Sequence, residues 1–165
     1  MTDTSTVEKR LAIGKKAENR VIALLLWHGI KAIKTGQEDW LPKWVHEKIR
    51  HIYDSEMCNS IRHFPDLSTD RTLIQVKAAP SENKYECVTI EKASYNTSKI
   101  LSEYGVPILL VWMYADEKTF CAQWVDKINV LEPNTPRERL KGAKTPMYKV
   151  KKDQLKKLKE FIKDL

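Results

Sequence analysis

Arg62-His63-Phe64-Pro65-Asp66, followed after eight residues by Gln75-Val76-Lys77, is the stretch that decides the fold of this 165-residue chain. Between the two pieces lies Ser68-Thr69-Asp70-Arg71. Short polar side chains of this kind hydrogen-bond their own backbone in tight turns, so the pattern predicts a β-hairpin. A loop centred between Asp70 and Arg71 would pair Thr69 with Thr72, Ser68 with Leu73, Leu67 with Ile74, and Asp66 with Gln75.

The two strands of this hairpin should divide their side chains between two faces, because successive side chains of a strand alternate. Asp66, Gln75 and Lys77 would share one face, and directly opposed residues have Cβ atoms about 5 Å apart. A carboxylate, an amide oxygen and an ammonium there predict a site for Mg²⁺, which prefers oxygen ligands. The apolar residues would point the other way, into a core: Leu67, Ile74 and Val76.

The hairpin resembles that of the PD-(D/E)xK nuclease superfamily, in which a Pro-Asp on one strand and an acid-x-Lys on the next gather divalent metal at a scissile phosphate. Holliday-junction resolvases and their relatives open with a helix that carries a glutamate, and the segment Gly14–Val21, with Glu18, is similar to that opening. A helical stretch from Ala93 to Tyr104 and an apolar strand, Val106–Trp112, follow in the family's order. The chain departs from most members at Gln75, although nucleases of the Mrr kind carry Gln-x-Lys there.

The resemblance implies an α/β fold with a restriction-endonuclease-like core, in which a mixed central β-sheet is flanked by helices on both faces. It also implies a metal-dependent endonuclease that hydrolyses phosphodiester bonds in DNA, with a structure-specific, resolvase-like activity as one form. A catalytically weakened or inactive nucleic-acid-binding module on the same fold is the alternative, because Gln75 removes one negative charge from the site. RNA as substrate and a homodimer as assembly both stay open.

The site residues expected from the hairpin and the resemblance are Glu18, Asp66, Gln75 and Lys77. Asp66, the Gln75 side-chain oxygen and the Val76 backbone carbonyl would hold one Mg²⁺, for which Mn²⁺ would substitute. The ion would lower the pKa of a bound water. Lys77 would orient that water and stabilise the developing negative charge, while Glu18 would hold a metal-bound water or a second ion.

The first helix is predicted to run from about Thr6 to His28, since a Ser-x-x-Glu capping box precedes it and Gly29 suits the position after its end. Glu18 falls on the apolar stripe of this helix. An ionised carboxylate on a core-facing stripe is costly unless it is paired or near a metal. Glu18 is therefore either a site residue or a residue at the edge of the stripe that reaches water or Lys15.

The sequence of residues 37–62 predicts an irregular, partly helical insert. Four side chains in or beside it raise the question of zinc: His46, His51, Cys58 and His63. His46 and His51 would lie about 140° apart on a helix, and no pair of cysteines supports them. The sequence therefore does not favour a zinc site.

The net charge of +7 predicts a polyanionic partner, and most of the excess lies near the C-terminus, where residues 141–165 contain nine lysines and three acidic residues. Apolar residues at helical spacing predict a basic amphipathic helix over 151–165. Its lysines would form a solvated face or contact phosphates, and its shortness argues against a membrane surface. The residues expected to bind nucleic acid are Lys15, Lys16, Arg62, Arg71, Lys84, Lys152, Lys156 and Lys159.

Length and composition predict a single nuclease-like domain spanning 1–165. No window of about 18 apolar residues predicts a membrane span, and the N-terminus does not resemble a signal peptide, so we expect a cytoplasmic protein. Cys58, Cys87 and Cys121 are odd in number and widely spaced, which indicates reduced thiols and no disulfide framework.

Overall fold

A computed structural model of the chain describes residues 4–36, 41–42, 44–45, 48, 60–83, 85–132 and 146–165, and the structural statements below refer to these residues. Two long helices organise them: α1, Thr4–Trp27, and α2, Lys92–Glu103. The strands in the described ranges are β1 Ile33–Lys34, β2 Leu67–Ser68, β3 Leu73–Ala78, β4 Cys87–Glu91, β5 Ile108–Met113, β6 Phe120–Trp124, β7 Val130–Leu131, β8 Met147–Lys151 and β9 Lys156–Lys157.

Six of these strands form the central sheet, in the order β1-β2-β3-β5-β6-β9. β3 and β5 run parallel, whereas the other neighbouring pairs in this sheet are antiparallel. The remaining strands form a smaller antiparallel sheet in the order β4-β8-β7. The central sheet is therefore mixed, as the sequence predicted.

The predicted hairpin is present with the predicted register, since Leu67 pairs with Ile74 and Ser68 with Leu73. The turn is closed by Thr69, whose backbone N–H donates to the Thr72 carbonyl at 2.9 Å. Its hydroxyl also accepts a hydrogen bond from the Thr72 N–H at 3.1 Å. The local turn chemistry thus fixes which side chains share a face.

α1 covers one face of the central sheet through an apolar stripe in which Ala17, Val21 and Leu25 have no exposed surface. The helix begins two residues earlier than predicted and ends at Trp27. Gly29 follows with a φ of 78°, a left-handed conformation that glycine adopts without steric strain.

The two faces of the central sheet are both covered. α1 and the C-terminal residues Leu158, Phe161 and Leu165 share one core with the strands. α2 and the smaller sheet cover the other face, where Trp112 is fully buried. The predicted α/β architecture, with a mixed sheet flanked by helices on both faces, is confirmed.

The prediction of a C-terminal helix over 151–165 is wrong. The segment leaves β8 through a 3₁₀ turn at Lys152–Gln154, forms the edge strand β9, and ends in two further 3₁₀ turns, Leu158–Glu160 and Ile162–Asp164. Lys157 and Lys156 pair with Cys121 and Ala122 of β6.

Tertiary pairing explains why this segment is not helical. Apolar residues spaced by three suit a 3₁₀ turn as well as an α-helix, so Leu155, Leu158 and Phe161 did not determine the conformation. The backbone instead finds partners in the sheets: the Lys152 N–H donates to the Glu86 carbonyl at 3.0 Å. The Gln154 carbonyl accepts from Gln123 Nε2 at 2.7 Å.

Most of the predicted insert, with the zinc candidates His46, His51 and Cys58, lies outside the described residues. At its end, residues 60–62 are helical and lead into His63. Among the described residues, no helix combines the length and the hydrophobicity needed to cross a membrane.

Candidate active site

Asp66 lies at the start of the hairpin, where the neighbouring edge of the sheet fixes its backbone. The Thr35 N–H donates to the Asp66 carbonyl at 2.8 Å, and the Thr35 hydroxyl donates to the Pro65 carbonyl at 2.9 Å. The carboxylate oxygen Oδ2 accepts the Val76 N–H at 2.7 Å and Gln75 Nε2 at 2.5 Å. The structure therefore brings Asp66 and Gln75 together, and the carboxylate is held by two donors.

Burial raises the pKa of Asp66 to about 6, because it penalises the charged form. The positive charge of Lys77 and the hydrogen bond from Val76 N–H lower this pKa, whereas the negative charges of Glu18 and Glu91 raise it. Asp66 is thus mostly ionised at neutral pH, but in surroundings that would favour a bound cation.

Gln75 is almost completely buried, at 2% exposure, in the middle of β3. Its Nε2 donates a hydrogen bond to Asp66, which fixes the orientation of the amide. Its Oε1 is buried and has no hydrogen-bond partner among the described residues. A buried unsatisfied oxygen costs about 1–3 kcal/mol, and an ion is one of the few features that would compensate for it.

The Val76 carbonyl lies on the Asp66 side of β3. Leu73 donates its N–H to the carbonyl of Pro107, just before β5, and Ala79 donates to the carbonyl of Met113 in β5, so alternate residues of β3 face that neighbour. The Val76 N–H faces the other way, toward Asp66. Because the N–H and C=O of one strand residue point to the same side, the Val76 carbonyl also faces Asp66.

Lys77 extends from the same face as Gln75 toward the start of α2. Its Nζ lies 3.6 Å from Glu91 Oε2 and 3.4 Å from Ser94 Oγ. Glu91 ends β4 and immediately precedes α2, and Ser94 lies in the first turn of that helix. The sequence analysis missed both residues. A strand signal was available, because apolar Val88 and Ile90, which are buried, alternate with other residues along Cys87–Glu91.

His63 belongs to the same cluster, since its Nδ1 lies 3.2 Å from Ser94 Oγ and 3.8 Å from Glu91 Oε2. Burial lowers the pKa of His63, partly opposed by the charge of Glu91. Burial therefore favours the neutral form of the imidazole. The described residues contain no group of three His, Cys, Asp or Glu side chains arranged to hold a metal.

Glu18 lies on the α1 side of the sheet. Its Oε2 is 3.4 Å from Nζ of Lys34, which pairs with Leu67 across β1 and β2. The charge of Glu18 raises the pKa of Asp66. Glu18 therefore lies within electrostatic range of Asp66 and is ion-paired with Lys34.

Solved structures that are similar to this chain include the following two. Hjc from Archaeoglobus fulgidus, a Holliday junction resolvase from an archaeal hyperthermophile, aligns with a TM-score of 0.52 and 10% identity, over 91% of this chain and 95% of that one. The fold is of the restriction-endonuclease type. D212, a nuclease from a fusellovirus, aligns with a TM-score of 0.45 and 14% identity, over 98% of this chain and 92% of that one. No family model and no curated protein sequence matches the chain.

The basic residues predicted to bind nucleic acid are scattered over this restriction-endonuclease-like fold. Lys16 is engaged by Glu117 at 2.6 Å. Lys152 lies 5.2 Å from the ring centre of Tyr114 and donates to the Glu82 carbonyl, which gives it a structural role. Three more of the predicted basic residues lie on the surface or beside the hairpin: Lys15 on α1, Arg62 next to His63, and Arg71 in the turn.

Lys156 and Lys159 are exposed at the β9 edge of the central sheet. Three strand spacings separate β9 from β3, which is about 14 Å. These lysines therefore lie well away from the strand that carries Lys77. Lys84 lies outside the described residues.

Proposed function

We propose that this protein is a metal-dependent endonuclease that hydrolyses phosphodiester bonds in DNA. The observation that carries the proposal is the buried Oε1 of Gln75, which has no partner among the described residues and belongs to the side chain that binds Asp66. The restriction-endonuclease-type fold supports hydrolysis of nucleic acid, and the similarity in structure to a Holliday junction resolvase supports DNA as the substrate.

The residues present suit a hard divalent cation. Asp66 Oδ1, Gln75 Oε1 and the Val76 carbonyl are oxygen donors, and Mg²⁺ is typically bound through few protein oxygens while it retains several waters. Because Val76 N–H and Gln75 Nε2 already hold Oδ2 of Asp66, the carboxylate is oriented in advance. Mn²⁺ has similar ligand preferences and should substitute.

When bound, the ion polarises the phosphate and lowers the pKa of a water. The chain's own groups supply the rest. The Lys77 ammonium orients the attacking water and stabilises negative charge that develops on the phosphate. Glu18 holds a water or a second ion at the α1 side, although its ion pair with Lys34 weakens the negative charge it offers.

A weakened, purely binding module on the same fold is the second candidate, because Gln75 carries no charge. The burial of Asp66 favours the enzyme, since a carboxylate with a pKa raised by burial destabilises the fold at neutral pH. A binding module would gain nothing from that arrangement.

The test is cleavage of a panel that contains a four-way junction, a flap, linear duplex, single-stranded DNA and RNA. Each substrate is incubated with Mg²⁺, with Mn²⁺ and with a chelator. The proposal expects at least one DNA substrate to be cut with either metal and none with the chelator. Binding without cleavage under all conditions would support the second candidate, and cleavage of RNA alone would correct the substrate.

A further inference from the structure

The Lys77 ammonium is held by two acceptors that belong to neither strand of the hairpin. A lysine has three N–H donors on a flexible stem of four carbons. Ser94 Oγ accepts a hydrogen bond from one of these donors at 3.4 Å, and Glu91 Oε2 forms an ion pair with the ammonium at 3.6 Å. The two contacts direct the stem toward the start of α2 and leave N–H donors for a ligand.

Ser94 connects the members of this cluster. Its hydroxyl donates to Glu91 Oε2 at 3.1 Å and accepts from Lys77 Nζ. A hydroxyl has one donor and two acceptor positions, so His63 completes the set if its Nδ1 carries the proton and donates to Ser94 at 3.2 Å. Ser94 is 1% exposed, and no part of its hydrogen-bonding capacity is then left unused.

The two acceptors lie on rigid elements. Glu91 is the last residue of β4, which pairs along its length with β8. It also precedes the first turn of α2, where the helix dipole favours a negative charge. Side chains supported by strands and helices hold their geometry better than side chains on loops.

From this geometry we infer that Glu91 and Ser94 are positioning residues, which hold the Lys77 ammonium beside the proposed metal site and prevent it from pairing with Asp66. The inference rests on the proposed nuclease function. A free ammonium on the same face as Asp66 would compete with a cation for that carboxylate, because opposite charges attract strongly in a partly buried site. Glu91 offers the ammonium another carboxylate.

The inference predicts a defined kinetic change. Glu91→Gln removes the charge while it keeps the shape of the side chain, and kcat for DNA cleavage should fall about 10²-fold, the size of effect expected when a catalytic group is misplaced by about 1 Å. Ser94→Ala should lower kcat about tenfold. KM for DNA should stay within about twofold of the wild-type value in both variants.

Two further variants separate positioning from general damage. Ser98 lies one turn further along α2, is fully buried, and its hydroxyl has no partner among the described residues. Ser98→Ala is therefore the matched control and should leave kcat unchanged. Glu91→Asp keeps the charge on a shorter side chain and should retain at least about tenfold more activity than Glu91→Gln.

The experiment is steady-state cleavage of the best DNA substrate by the five proteins at several Mg²⁺ concentrations, with thermal melts to verify folding. Equal kcat for wild type and Ser94→Ala, or for Glu91→Asp and Glu91→Gln, would overturn the inference. A higher Mg²⁺ requirement in Glu91→Gln would place Glu91 among the metal ligands and overturn it as well. Failure of the wild-type protein to cut any substrate would contradict the proposed function, and the inference with it.

Discussion

The two faces of the central sheet are both buried, but they differ in polarity. The face under α1 is packed by apolar side chains such as Val21, Leu25 and Ile74. The face under α2 includes Gln75 on β3 and three buried hydroxyl residues of the helix: Ser94, Thr97 and Ser98. The face under α2 also contains a buried apolar cluster around Trp112, so both faces contribute stability. Because buried polar groups lower stability unless they are satisfied, we assign the chemistry to the second face, where such groups lie beside the apolar cluster.

Substitutions at the polar face should give the largest effect, and the effect should be on activity. Asp66→Ala and Lys77→Ala should each reduce the cleavage rate by about 10³-fold, because each removes a group that acts on charge in the transition state. DNA binding, measured by fluorescence anisotropy, should be retained. If either folded variant cuts at the wild-type rate with Mg²⁺, the polar face is not the active site.

Leu25→Ala at the apolar face should affect stability instead. Leu25 is fully buried, and truncation of such a side chain destabilises a protein by about 2–5 kcal/mol. Urea denaturation measures this loss, and cleavage assayed well below the melting temperature should proceed at the wild-type rate. A large loss of activity in the folded variant would show that the two faces are not separable in this way.

Asp66→Asn should raise stability at neutral pH. The pKa of Asp66 in the fold is about 6, above the value of about 3.9 for an unfolded chain. Because the folded state binds this proton more tightly than the unfolded state, protonation of Asp66 stabilises the fold. This contribution is fully present below about pH 4 and is lost as the pH rises through 6. At pH 7.5 without metal, the variant should therefore be more stable by about 2 kcal/mol, and the difference should disappear toward pH 4.

Asp116 provides a control of opposite sign for that measurement. Hydrogen bonds, chiefly from the Thr119 hydroxyl, lower the pKa of this exposed carboxylate. Its contribution to stability is present above the unfolded pKa and is lost as pH falls. Asp116→Asn should not stabilise the protein at pH 7.5, and equal stabilisation in both variants would indicate a general effect of net charge.

The smallest effect is expected at the β9 edge of the sheet, three strands away from β3. If Lys156 and Lys159 contact phosphates, their joint replacement by Gln should flatten the slope of log affinity against log salt by as much as about 2. Lys31 and Lys118, changed in the same way, give an equal loss of charge elsewhere. An unaltered slope in the Lys156/Lys159 variant would show that these lysines are only solvated.

The hairpin was predictable because its signals are local. A polar turn fixes the register, which sets Asp66 opposite Gln75, and alternation along β3 then places Lys77 on the same face as Gln75. The other half of the cluster was not predictable, because Glu91 and Ser94 reach Lys77 only through the packing of β4 and α2. Neither residue lies in a motif that indicates its role.

The conformation of the C-terminal segment, unlike that of the hairpin, was not determined by local signals. Its apolar residues are spaced by three, and this spacing fits a 3₁₀ turn and an α-helix alike. The backbone partners that decide between them, on β4 and β6, are distant in sequence. The contact between Lys152 and the Glu82 carbonyl likewise joins residues that are distant in sequence, so the sequence could not indicate it.

The central claim, a metal bound between Asp66 and Gln75, is tested most directly by calorimetric titration of Mg²⁺ into the wild-type protein and Gln75→Glu. A carboxylate is a stronger ligand for Mg²⁺ than an amide oxygen. We predict that the wild-type protein binds Mg²⁺ and that the variant binds it about tenfold more tightly. Equal affinity in the two proteins would show that Gln75 does not contact the ion, and would contradict the account.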